Sequence, residues 1–111
     1  MEILAETRQG KTIGKLKGRM DTLTTKNFDQ WFSEWLQQGQ KDLVLDMSDL
    51  SYISSSGLRS LLSAAKQIRS SKGSLALFGL TGVVRQVFQL SGFFSIFQVF
   101  DSLEDAMKPV G

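Results

Sequence analysis

Three consecutive hydroxyls, Ser54-Ser55-Ser56, followed by Gly57, are the residues of this 111-residue chain best placed to carry chemistry. Serine attacks as a nucleophile only beside an activating base. The chain contains no histidine and no cysteine, which removes the commonest general base and all thiol chemistry. Only Lys66 or a carboxylate could then serve, and Lys66 lies about three helical turns from the serines. No glycine-flanked nucleophile elbow and no Gly-Lys-Ser/Thr phosphate loop occurs. Asp42, Asp46 and Asp49 could meet a divalent ion, but their spacing matches no calcium or magnesium loop and suits strand ends and turns. No metal or cofactor is therefore expected, and the chain does not read as an enzyme. Two non-exclusive roles remain for the serines. One is helix capping, with Gly57 permitting a tight turn. The other is acceptance of a regulatory phosphate, which adds about −1.5 to −2 charges at neutral pH.

The elements that must position these hydroxyls follow from periodicity. Leu43-Val44-Leu45 leads into Asp46, so Asp42–Met47 is expected as a strand, with a loop from there to the serines. Leu58, Leu61, Leu62, Ala65 and Ile68 recur at three- and four-residue spacings and predict a helix that starts at the serines. An anionic group there would sit at the positive end of the helix dipole. Upstream, Met1–Thr7 and Lys11–Leu16 predict a hairpin turning at Gln9-Gly10, and Gly18-Arg19-Met20-Asp21 breaks that pattern. Thr24 or Thr25 is expected to cap a helix whose apolar face is Phe28, Trp31, Phe32, Trp35 and Leu36, ended by Gln38-Gly39-Gln40. Downstream, Ser70–Gly73 ends the serine-led helix and Ser74–Phe78 is a strand. Thr81 opens a helix through Leu90 with Val84, Val87 and Phe88 inward, closed by Ser91-Gly92. Ile96–Phe100 is expected as a fifth strand and Ser102–Lys108 as a last helix, stopped by Pro109. This alternation predicts one α/β domain over residues 1–111, a mixed sheet of four to five strands covered by about four helices.

Composition bounds the partners. A chain of this length buries roughly two-thirds of its unfolded surface, enough for a core without staples. The net charge of +2 does not indicate a nucleic-acid partner. The apolar C-terminal region is interrupted by Arg85, Gln86, Gln89 and Ser91, so no membrane span is expected. No N-terminal signal pattern stands out, and a cytoplasmic location is the expectation. Lys15 and Lys17 share one side of the second strand, where they read as guards of a sheet edge. Phe93, Phe94, Phe97 and Phe100 read as core.

Taken together, the motifs resemble those of free-standing STAS domains of the anti-sigma-factor antagonist family, over nearly the whole chain. Gly18-Arg19-Met20-Asp21 is similar to that family's glycine-x-x-aspartate after the second strand. Leu43–Ser48 resembles its strand ending in aspartate-x-serine. Tyr52–Leu58, YISSSGL, stands where the family has aspartate-serine-serine/threonine-glycine-leucine. Val83–Phe94 and Ser102–Ala106 resemble its third and closing helices. The resemblance implies a partner switch. In it the unmodified antagonist binds an anti-sigma factor with serine kinase activity, phosphorylation releases it, and a metal-dependent serine phosphatase restores it. By position the phosphoacceptor is Ser55, with Ser56 and Ser54 as alternates. Ser54 departs from the pattern by replacing the aspartate. Asp21, Asp49, Ser51, Ser54, Ser56, Gly57, Arg59 and Ser63 would form the docking surface of a monomer or weak dimer. The alternative is a non-phosphorylated scaffold or sensor that binds a small ligand or another STAS protein.

Overall fold

A computed structural model describes residues 1–108; Pro109, expected to stop the last helix, lies outside them. Five strands form one sheet in the order β1-β2-β3-β4-β5: β1 Glu2–Arg8, β2 Lys11–Met20, β3 Asp42–Ile53, β4 Ser74–Phe78 and β5 Gln98–Phe100. β1 and β2 are an antiparallel hairpin, and every other pairing is parallel. The crossovers between the parallel strands are α1 (Thr25–Gln37), α2 (Ser55–Ser70) and α3 (Gly82–Leu90), followed by a short closing helix α4 (Leu103–Met107).

The two sheet faces are covered unequally. Leu16, Leu43, Leu45, Met47 and Leu77 face a large core with Phe28, Phe32 and Trp35 of α1, Leu61, Ala64 and Ile68 of α2, and Val84 and Phe88 of α3. On the other face Ile13, Val44 and Ala76 meet only Ala106 of α4, with a partly buried rim of Phe78, Phe100, Leu103 and Met107. Neighbours such as Leu43 and Val44 point to opposite faces, as strand geometry requires. Phe93 and Phe97 join the main core against Phe88, at centroid distances of 5.6 and 5.9 Å. Trp35 Nε1 donates to Thr12 Oγ1 at 2.9 Å, so the one polar end of this buried ring is satisfied.

Several sequence expectations are corrected. β3 does not stop at Met47; it continues through Ser48–Ile53 and enters α2 with Ser54 as the sole joint. β2 likewise runs past Leu16 to Met20, with register irregularities at Lys15/Lys17 and Gly18/Arg19. The extra length of each strand is stabilised by pairing with the other: Lys17 opposes Asp49, Gly18 Leu50, Arg19 Tyr52 and Met20 Ile53. Gly18 takes φ +104°, so the residue expected to end the strand instead bends it. β5 starts at Gln98 rather than Ile96, because Phe93–Ser95 forms a single 3-10 turn. Lys15 and Lys17 guard no edge, since β1 takes that place and β2 is interior. Lys15 instead pairs with Asp49 at 3.1 Å.

Candidate functional site

The β2–β3 extension builds the site. β4 pairs β3 only over Asp42–Asp46 and β1 pairs β2 only as far as Lys17, so from Gly18 and Leu50 onward β2 and β3 continue as a two-stranded ribbon past the rest of the sheet. Ser54 N donates to Met20 O at 2.9 Å, tying the start of α2 to the end of β2. Ser51 Oγ donates to Gly18 O at 3.0 Å, and Arg19 lies 4.3 Å from the centre of the Tyr52 ring. The three serines thus follow directly on a paired, pinned strand rather than a loop.

The three hydroxyls are not equivalent. Ser54 is extended, with φ −90° and ψ 173°, and its Oγ accepts from Gly57 N at 3.2 Å, which makes it the N-cap of α2. Ser56 is half-buried and its Oγ accepts from Arg59 Nη2 at 3.3 Å. Ser55, the first residue of the helix, is exposed, and its hydroxyl has no hydrogen bond among the described residues. One serine caps, one is engaged by an arginine, and one is free.

Gly57 is buried, and a methyl group there would lie 2.8 Å from Ile53 Cγ1, 3.0 Å from Met20 Cγ and 3.1 Å from Met20 O. Its part in the expected docking surface is therefore that of a spacer: it lets the first turn of α2 lie against the end of β2. Asp49, Ser51, Arg59 and Ser63 are exposed. Asp49 is drawn towards Lys15, whose ammonium is held above its ordinary range by the hydrogen bond and charge of Asp49, with Asp46 contributing.

Asp21 has a structural task as well. Its Oδ1 accepts from Thr24 N at 2.9 Å and Leu23 N at 3.0 Å, and its carbonyl accepts from Thr25 N. Thr24 occupies the cap position of α1, but its hydroxyl makes no capping bond; it accepts from Asp21 N and lies 2.6 Å from Arg19 O. Capping of α1 was expected from Thr24 or Thr25; Thr24 holds the cap position without a side-chain capping bond, and the carboxylate of Asp21 closes the turn that leads into the helix. The donors from Thr24, and then Leu23, hold the Asp21 carboxyl below its usual range, with Arg19 adding to the effect. The aspartates offered as metal ligands are otherwise occupied. Asp42 accepts from Ser74 Oγ at 2.8 Å, and Asp46 accepts from Ser48 N and Oγ. No group of three potential metal-binding side chains occurs among the described residues.

Between α1 and α2 runs an open groove of about 510 Å³, lined by Lys26, Asp29 and Thr25 on one wall and Ser56, Arg59 and Ser63 on the other. Periodicity placed α1 and α2 but not the fact that their polar flanks meet beside the serines. Among the described residues no helix is long and apolar enough to cross a membrane.

An antiparallel hairpin continued by parallel strands, with a serine-capped helix springing from the longest of them, is the architecture of a recognised regulatory domain class. The chain belongs to the STAS domain family, whose model matches residues 2–106. It is 38% identical over 96% of its length, and 91% of the relative's, to a Bordetella bronchiseptica protein assigned as the anti-sigma factor antagonist BtrV. A Thermotoga maritima protein, assigned likewise, superimposes with TM-score 0.89 at 25% identity, covering 95% of this chain and 91% of that one. The anti-sigma factor antagonist SpoIIAA has the same fold, at TM-scores of 0.73 unphosphorylated (20% identity; 94% and 92% covered) and 0.74 phosphorylated (22%; 94% and 94%).

Proposed function

We propose that this chain is an anti-sigma factor antagonist whose docking is controlled by phosphorylation of Ser55. Unmodified, it holds an anti-sigma factor that is also a serine kinase; phosphorylation releases that partner, and a metal-dependent phosphatase restores binding. The observation that carries the reading is the division of labour among the serines. Of the three, Ser55 alone presents an exposed hydroxyl without a hydrogen bond among the described residues, at the first residue of α2. The relatives named as antagonists support the partner class.

The physical basis is a difference in burial cost. A neutral hydroxyl enters an interface cheaply once hydrogen-bonded. A phosphate must be paired or stay hydrated, and an unpaired buried charge costs several kcal/mol. Since about 1.4 kcal/mol changes affinity tenfold, such a charge empties the interface without refolding. A helix N-terminus tolerates the charge, so α2 stays formed. Asp49, Ser51, Arg59 and Ser63 supply the exposed surround, and Asp21 and Gly57 set the geometry behind it.

The test is capture from native cytosol on Ser55→Ala and Ser55→Asp baits, followed by incubation of any captured kinase-like protein with ATP and the unmodified chain. A protein retained by alanine, lost from aspartate, and able to phosphorylate Ser55 supports the switch. Equal retention on both baits refutes it and favours a scaffold or sensor indifferent to charge at Ser55.

A further inference from the structure

We propose that Arg59 is the built-in counter-ion of a phosphate on Ser55, so that modification adds a negative charge and withdraws a cation from the docking surface together. The inference rests on Ser55 being the acceptor. Arg59 follows Ser55 by four residues and Ser56 by three, the two spacings that make side chains neighbours on a helix, about 5–6 Å apart at Cβ. Its guanidinium already turns towards the start of α2, where Nη2 lies 3.3 Å from Ser56 Oγ. A neutral hydroxyl is a poor match for a planar cation with five donors; a phosphate one residue earlier offers a bidentate, charge-assisted partner.

The surroundings are short of competing acceptors. The first turn of α2 carries no acidic residue, and Ser54 caps it without charge. On the facing helix, the groove wall holds Lys26 and Asp29, one charge of each sign. Thr25, on that same wall, is 5% exposed, and its Oγ1 has no hydrogen-bond partner among the described residues. Arg59 itself is exposed and makes no salt bridge among the described residues. The acceptor that Arg59 lacks in the unmodified protein is the one that phosphorylation would create.

The experiment installs phosphoserine at position 55 of the full chain during translation and follows the phosphate by ³¹P NMR across pH. In the parent sequence the second phosphate ionisation is expected about half a pH unit lower than in Arg59→Gln, with Arg59→Lys in between. Phosphorylation should also raise the melting temperature more in the parent than in Arg59→Gln. Superimposable ³¹P titrations of the parent and Arg59→Gln would overturn the pairing, because Arg59 is exposed and its replacement leaves the core intact. The switch reading fails on a different result: phosphopeptide mapping that finds no phosphate on Ser55 after exposure to the captured kinase. The NMR outcome stands apart from that, since the phosphate is placed without a kinase.

Discussion

Replacing Gly57 by alanine tests whether the first turn of α2 is held by close approach to β2. In an unconstrained helix the change stabilises by up to about 1 kcal/mol, because glycine has the higher backbone entropy to lose. Here the new methyl would sit 2.8 Å from Ile53 Cγ1, 3.0 Å from Met20 Cγ and 3.1 Å from Met20 O. Ile53 and Met20 are themselves fully packed, at 3% and 0% exposure, so neither side chain has room to retreat. The backbone oxygen is less free still, because it accepts from Ser54 N. Overpacking of this kind costs about 1–3 kcal/mol. The net expectation is destabilisation by about 1–2 kcal/mol, or roughly 5–10 °C in melting temperature for a domain near this size. Thermal unfolding by circular dichroism measures it. A Gly57→Ala protein as stable as the parent, or more so, would refute the close-approach argument and leave helix propensity as the controlling effect.

Further outcomes follow from the same contacts. Ser54→Ala removes the cap of α2 and should cost about 1 kcal/mol in urea unfolding, whereas Ser54→Asp should retain that stability by accepting from Gly57 N in the same way. Trp35→Phe leaves Thr12 Oγ1 without its buried donor and should cost about 2 kcal/mol by the same assay. Thr25→Val removes a buried hydroxyl that has no partner among the described residues, and should leave stability unchanged or raise it by up to about 1 kcal/mol. Asp21 has a lowered folded-state pKa, so its charge stabilises the fold above the unfolded value near ~3.9 and loses that effect as pH falls through the folded one. An Asp21→Asn protein should therefore be less stable than the parent at neutral pH, with the difference closing in acid melts; a constant difference would refute the assignment.

Helices α1 and α2 were legible from apolar residues at helical spacing, Phe28-Phe32-Trp35 in α1 and Leu58, Leu61, Leu62, Ala65 and Ile68 in α2. Of the latter Leu61 and Ile68 are fully buried, Leu58, Leu62 and Ala65 only partly, and Ala64, outside the expected face, is buried with them. The second half of β3 was not legible, for a reason visible in its residues. In Ser48-Asp49-Leu50-Ser51-Tyr52-Ile53 the buried positions are Leu50 and Ile53, three apart, because the strand pairing is irregular. That spacing is not the alternation of a regular strand, and aspartate and serine are poor strand formers, so a loop was the natural expectation. Pairing with β2 overrides local preference there, and pairing is long-range information. Sheet order is of the same kind: the hairpin gives β2 one neighbour, but nothing local to Lys15 says that β3 takes its other edge. At the site, the three serines were marked by their place before a helix and Ser55 among them by the family resemblance, but its physical difference from Ser54 and Ser56 depends on Gly57 N and Arg59 Nη2, which only the folded turn brings into contact.

Under the proposed switch, the direct passage from β3 to α2 fixes how a phosphate on Ser55 would act. A phosphate on a loop could act by ordering or releasing the chain. On Ser55 the backbone is already held by the cap of Ser54, by Ser54 N on Met20 O, and by the packing of Gly57 against Met20 and Ile53. Little conformational freedom is left for a modification to select. What remains variable is charge: a hydroxyl or a dianion at one rigid point, with Arg59 one helical turn away. Replacement of the family's aspartate by Ser54 sharpens that contrast, since the unmodified first turn is without negative charge and the modified one carries only the phosphate. Ser54→Asp should therefore leave stability intact while weakening discrimination between Ser55 and its phosphorylated form, measured as the ratio of partner affinities. An unchanged ratio would show that the partner reads shape at Ser55 rather than the local field.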